Sequence, residues 1–282
     1  MKNFPLPVVA FGEGSQPVEE EAQYMAMPKG MNSFQMPPVP EQVDDDVREV
    51  TALIHRLVGM MEKYPYGNSA YPFVDLAEAR SSVVTLINDS LGQGEVSVIA
   101  SNPMALRVQE TAFAGVWRVR HSGRDGELDY DCLEACAIPR AVREAALANT
   151  VRRIDLPVST PEMMSAPAIL TEILNAAESC REGSPAHIIN LTLSPLTPAD
   201  LDCLVDTLGP GTTVILSRGY GNCRISSTGV ANVWWVQYFN SGEQMILNTI
   251  EVVSVPEAAV AAEEDFRDST ERLREWLLAV AE

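Results

Sequence analysis

The sequence predicts an α+β protein made of two tandem, pseudo-symmetric repeats, each an antiparallel meander sheet with flanking helices. Three observations carry this. The chain aligns with itself at an offset of 117 residues, with 14 identities over the 57 positions from Asp89 to Ala145. Leu91, Gly92, Gly94, Arg107, Thr111, Trp117, Glu134 and Pro139 fall on Leu208, Gly209, Gly211, Arg224, Thr228, Trp234, Glu251 and Pro256. Turn glycines, an indole and a proline are residues that a fold uses at fixed places. Closely spaced β-rich runs separated by turn residues point to hairpins, and apolar residues at i, i+3, i+4 spacing mark helices between them.

The elements follow in order. Residues 1–43 hold seven prolines, the acidic run Glu19-Glu20-Glu21 and several methionines, and read as an extended arm. The first repeat occupies 44–149. A helix begins after Asp44 to Asp46 and carries Val50, Leu53, Ile54, Leu57, Val58 and Met61 on one face. A short strand near Tyr71–Leu76 precedes a second helix that ends at Leu91-Gly92. Strands are expected at Val96–Ser101, Leu106–Thr111, Gly115–His121 and Leu128–Cys136, then a helix from Pro139. Residues 150–164 form the linker.

The second repeat, 165–282, reads the same way. A helix from about Ala166 is expected to run to Gly183, with a strand at His187–Leu193. Thr197-Pro198-Ala199-Asp200 offers an N-cap threonine, a proline at the first helical position and an acid in the first turn. Strands at Thr213–Ser217, Cys223–Thr228, Asn232–Phe239 and Met245–Val253 precede a helix from Pro256. A last helix carries Phe266, Leu273, Trp276, Leu277 and Val280 at helical spacing.

Composition narrows the function. The net charge of −19 argues against nucleic acid, which is bound by clustered Lys and Arg. No apolar run reaches the roughly 18 residues of a membrane-spanning helix, and the first residues show no long apolar stretch, so the expectation is a cytoplasmic protein without membrane insertion. The five cysteines are an odd number and suggest no disulfide framework. There is no Gly-x-Ser-x-Gly elbow, and His55, His121 and His187 lie far apart. Cys132 and Cys136, four apart in a strand, share a face, but two thiols do not close a tetrahedral metal site. The glycine pairs after Leu91 and Leu208 follow helices rather than open them, the wrong order for a phosphate cradle. No catalytic residue, metal or cofactor is therefore expected. The aromatic cluster remains. Trp234 and Trp235 must face opposite sides of one strand, and Trp117 is the counterpart of Trp234; the indole on the second face is either buried between the two modules, the favoured reading, or part of a binding surface.

Pro195-Leu-Thr-Pro-Ala-Asp-Leu201, Leu208-Gly-Pro-Gly211, Ser217-Arg-Gly-Tyr-Gly-Asn-Cys-Arg-Ile225, Asn232-Val-Trp-Trp-Val-Gln-Tyr-Phe-Asn-Ser241 and Ile246-Leu-Asn-Thr-Ile-Glu-Val252 resemble the C-terminal conserved region of the HupH/HoxQ/HyaF family. These are nickel–iron hydrogenase expression/formation proteins. The resemblance is strongest from His187 to Leu273. It implies a non-enzymatic accessory protein, a chaperone that binds the iron–sulfur small-subunit precursor of an uptake hydrogenase before assembly and export. It also implies a thioredoxin-like hydrogenase accessory protein as co-partner. The precursor's twin-arginine signal peptide has basic and apolar parts, and an acidic protein with exposed aromatics suits it. The candidate partner-binding residues are Glu19, Glu20, Glu21, Trp117, Arg218, Tyr220, Trp234 and Trp235. The alternatives are a thiol-based redox or metal-delivery factor using Cys132, Cys136 and Cys223, or a scaffold bridging other accessory proteins.

Overall fold

The computed structural model describes Phe34, residues 36–38, Pro40, and residues 44–101, 105–123, 128–158, 160–219 and 221–281, with only the backbone at positions 128 and 129. Met36–Glu282 clusters as one compact unit and Met1–Gln35 as another, of which Phe34 alone is described.

Helix α1 (Asp45–Met61) starts at the predicted acidic cap, where the Asp44 carboxylate accepts the Val47 N–H at 2.8 Å. Strand β1 (Phe73–Asp75) and helix α2 (Ser81–Leu91) follow, and α2 stops at Gly92 in the left-handed region (φ 62°). Strands β2 (Val96–Ala100), β3 (Ala105–Glu110), β4 (Val116–Ser122) and β5 (Leu128–Ala135) lead to helix α3 (Arg140–Leu147). Helix α4 (Ala166–Ser179), strand β6 (His187–Asn190) and helix α5 (Pro198–Leu208) come next. Strands β7 (Pro210–Ser217), β8 (Asn222–Thr228), β9 (Val233–Phe239) and β10 (Met245–Val252) and helix α6 (Glu263–Ala281) complete the chain. No helix of the described residues is long and apolar enough to cross a membrane.

The ten strands of the described residues belong to one antiparallel sheet, in the order β1-β5-β4-β3-β2-β7-β8-β9-β10-β6. The sequence predicts a sheet in each repeat, and here the structure differs. β2 and β7 pair, with Val96 opposite Ser217, Val98 opposite Ile215 and Ala100 opposite Thr213. Left apart, each would be an edge with a row of unpaired N–H and C=O groups. Pairing them satisfies both rows at once.

Two helices also depart from expectation. α4 ends at Ser179, not Gly183: Cys180 turns extended, and the Arg181 guanidinium donates to the Glu178 and Cys180 carbonyls, satisfying the frayed end. After Pro256 the chain makes only a three-residue 3-10 turn (Glu257–Ala259). Val260 is extended and the Ala261 N–H donates to Ala137 O at 2.9 Å, which carries the chain across to the first half before α6 begins. The segment 150–164 is not free of the body either. Val151 bridges Val230, and the Met164, Ser165 and Ala166 N–H groups all donate to Asp200 Oδ1.

The sheet is packed on both faces. On one, Trp117, Val98, Ile215 and Trp234 form a continuous core with Val142 and Ala145 of α3. On the other, Ile250 and Val252 of β10 pack with Ile169, Leu170 and Ile173 of α4 and Leu204 of α5. At the opposite end of that second face, α2 reaches β4 through Asn88, whose Oδ1 accepts from Arg118 Nε at 3.1 Å. α1 packs on α2 and α6, and buries Val50, Ile54 and Leu57.

Candidate functional site

The two aligned indoles lie at the centre of the first core. Trp117 is 0% and Trp234 1% exposed. Trp117 Nε1 donates to Cys136 O at 2.9 Å, and Trp234 Nε1 to Val253 O at 3.1 Å. Alternation along the strand puts Trp235 on the other face, as expected. It packs half-buried against the α4–α5 core, with Nε1 donating to Asn248 Oδ1 at 2.6 Å. The expected partner contact through Trp117 and Trp234 is corrected by this burial: neither ring reaches the surface. Arg218 is exposed beyond β7, its N–H donating to Glu95 O at 3.2 Å. Glu19, Glu20, Glu21 and Tyr220 lie outside the described residues. The structure thus brings Trp117 and Trp234 together in the core and leaves Arg218 apart from them.

Carboxyl groups surround the indoles, and sequence reasoning missed them. Glu110 and Glu134 pair with Trp117 across the strands, and Glu251 pairs with Trp234. All three are buried. Burial pushes the Glu110 carboxyl up to about 7, against the opposing Gly115 N–H bond at 3.1 Å. Burial likewise raises Glu134 and Glu251. Glu134 takes a hydrogen bond from Cys132 Sγ at 3.7 Å, while its Oε2 is without a partner among the described residues. The signal was present in the sequence: an acid recurs at Glu134 and Glu251, in phase with core-facing residues of its strand.

The thiols share this environment. Cys132, Cys136 and Cys223 are buried and unpaired by disulfide. Burial pushes Cys132 up to about 12 and Cys223 up to about 11, and raises Cys136 well above the ordinary thiol value. Reactive cysteines need the opposite, an exposed and electropositive setting that favours the thiolate. Among the described residues no group of three or more His, Cys, Asp or Glu side chains is placed to hold a metal ion.

Two surface cavities of about 680 Å³ each flank the end of α4. One includes the pair His187 Nε2–Glu172 Oε1 at 2.8 Å. The other is lined by Arg143, Arg152, Arg153 and Arg181, of which Arg153 pairs with Glu178 at 2.9 Å and Arg143 with Glu182. Neither joins a nucleophile to a base in the manner of an acyl- or phosphoryl-transfer site.

Comparison with known proteins supplies the family. The profile described as the HupH hydrogenase expression protein, C-terminal conserved region, matches residues 79–155 and 163–280, so it reaches well upstream of residue 165. The hydrogenase expression/formation protein HoxQ of Cupriavidus necator is 40% identical over 98% of this chain and 98% of its own. The HupH protein of Rhodobacter capsulatus is 40% identical over 99% of each chain. The hydrogenase-1 operon protein HyaF of Escherichia coli is 31% identical over 96% of each. With a buried, hydrogen-bonded aromatic centre and matches that run the length of the chain, this protein belongs to the HupH family of hydrogenase expression/formation proteins.

Proposed function

We propose that this protein is a non-enzymatic accessory factor of nickel–iron hydrogenase maturation that binds the iron–sulfur small-subunit precursor in the cytoplasm, before assembly and export. The observation that carries the reading is end-to-end similarity to hydrogenase expression/formation proteins. The chemistry agrees with a binding role: the buried indoles and carboxyls organise a core, and the three thiols of the redox alternative are held neutral by burial. A thioredoxin-like accessory protein is the second proposed partner.

The same reading treats the two halves as copies of one unit. Its support is local geometry that recurs 117 positions apart. The Ala112 and Gly229 N–H groups donate to Leu91 O and Leu208 O, and the Cys136 and Val253 N–H groups to Gly115 O and Asn232 O, all at 2.9 Å.

The deciding experiment is co-purification of the full chain with tagged small-subunit precursor. Retention of the precursor, and its weakening by low-salt-sensitive charge reversal of Glu19, Glu20 and Glu21 to lysine, is the expected outcome. A precursor that does not bind the chain in the presence or absence of the thioredoxin-like protein would sink the reading.

A further inference from the structure

One stretch of the sheet is left bare by the helices. On the face opposite Trp117, α2 reaches β4, and α4 and α5 cover β10 and β6. The helix that packs on β2, β3 and β7 is α3, and it lies on the other side. Among the described residues no helix covers the central strands β3, β2, β7 and β8 on the face opposite Trp117.

The side chains there are unusual for this molecule. Ile99 on β2 is 60% exposed and Leu216 on β7 40%. Strands in the middle of a sheet normally bury such groups. Ile99 has Arg107 as its cross-strand neighbour on β3, Arg107 is opposite Arg120 on β4, and Leu216 is opposite Arg224 on β8. All three arginines are exposed, and among the described residues none has a carboxylate within ion-pair distance. No Asp or Glu of β2, β3, β7 or β8 points to this face: the lone acid in these strands, Glu110, is in phase with Leu106 and Val108 on the other, and Asp131 on β5, opposite Arg120, is buried in a pair with Arg118. In a chain of net charge −19, an apolar pair bracketed by unpaired arginines is a local reversal of sign.

We propose that this open face is a docking surface for an amphipathic helix of a partner protein, with an apolar stripe seated on Ile99 and Leu216 and carboxylates on its flanks meeting Arg107, Arg120 and Arg224. Size and charge both select this occupant. Four strands at about 4.8 Å spacing span about 14 Å, close to the roughly 10–12 Å diameter of one helix with side chains. Guanidinium groups on both sides of the apolar pair match acids on both flanks of a helix, and Arg–carboxylate pairs are strong, directional contacts. The docked helix would lie between the α1–α2 and α4–α5 pairs and complete the helical cover of the sheet. The inference goes beyond the small-subunit reading and does not rest on it.

The test uses the full chain and three synthetic helical peptides of 18 residues: a leucine stripe with glutamate flanks, the same stripe with lysine flanks, and a scramble of the first without a stripe. Binding is read by calorimetry, and its place by amide hydrogen exchange. The glutamate peptide is expected to bind and to slow exchange in β2 and β7, with affinity falling as salt rises. The double variant Arg107→Glu/Arg224→Glu should bind it at least about tenfold more weakly and gain affinity for the lysine peptide. Leu216→Ser should weaken both. Because these side chains are exposed, thermal denaturation of each variant should match the parent, and the salt dependence of the parent requires no variant. Four results would overturn the proposal: equal binding of the scramble, no effect of charge reversal, binding that appears only after residues 1–33 are removed, and self-association of the chain that the double variant abolishes. The third would assign the face to the chain's own arm, the fourth to a second copy.

Discussion

Among single residues, Asp200 has the most to lose. Its side chain is fully buried at the start of α5 and accepts from the Met164, Ser165, Ala166 and Thr197 N–H groups and from the Thr197 hydroxyl. Burial alone would raise its pKa, but the N–H bonds of Ala166, Thr197 and Ser165 outweigh this and hold the carboxyl well below the ordinary range. A depressed folded-state pKa adds stability that is present above the unfolded value near 3.8 and is lost as pH falls. Asp200→Asn should therefore cost about 2–4 kcal/mol at neutral pH, by urea denaturation, and the cost should shrink below pH 4. An unchanged urea midpoint would contradict this role. Glu110 works in the other direction. Its carboxyl is raised to about 7 from an unfolded value of 4.5, so its contribution is complete below 4.5 and is lost as pH rises through about 7. Glu110→Gln keeps the acceptor for Gly115 N–H and removes the titration. Its urea midpoint should stay level between pH 5 and 8, where the parent's declines. Parallel slopes for the two proteins would show that another group governs this range. At this scale the sequence was only partly legible. The capping role of Thr197 and Asp200 could be read from four consecutive residues, because the capping box is local. The three bonds that Asp200 receives from 164–166 could not, since they join positions 34–36 residues apart.

At the level of elements, each meander depends on a close approach where its first strand begins. A methyl group on Gly94 would meet Thr111 O at 2.2 Å, and one on Gly211 would meet Ser227 Oγ at 2.2 Å and its backbone carbon at 2.5 Å. Backbone atoms cannot step aside cheaply, so Gly94→Ala and Gly211→Ala should each destabilise by about 1–3 kcal/mol. Thermal denaturation of the purified variants checks this, and a melting temperature equal to the parent's in either would show that the turn relaxes. The strands themselves were readable because alternation and turn residues are short-range signals: all eight long strands begin and end within three residues of their predicted bounds. The helix expected after Pro256 fails for a reason no local pattern contains, the pull of Ala137 O on the Ala261 N–H. The buried tryptophans fail as surface anchors for a similar reason. An indole favours a partner interface and a protein core alike, and only the tertiary closure of the core that both rings share with α3 separates the two.

Over the whole molecule, the β2–β7 ladder was the feature hidden from sequence. Nothing in residues 96–100 or 213–217 announces that these two runs, more than a hundred positions apart, are neighbours. Yet Val98 opposite Ile215 is what turns two meanders into one sheet. Residues 44–149 expressed alone should therefore expose the β2 edge and self-associate or aggregate. Light scattering of that fragment, beside the same fragment mixed with residues 165–282, is the check. A monodisperse monomer would show that the edge is protected some other way.

That seam also bears on what holds the chain together. The connection through residues 152–158 is a tether that runs beside the body, while the halves meet through a five-residue ladder, a shared core on one side and the packing of α6 on α1. A protease site placed in that tether should give two polypeptides that still migrate as one particle and separate only in denaturant. The peptide bond there would be a convenience of synthesis, and the two pieces would behave as subunits of a heterodimer.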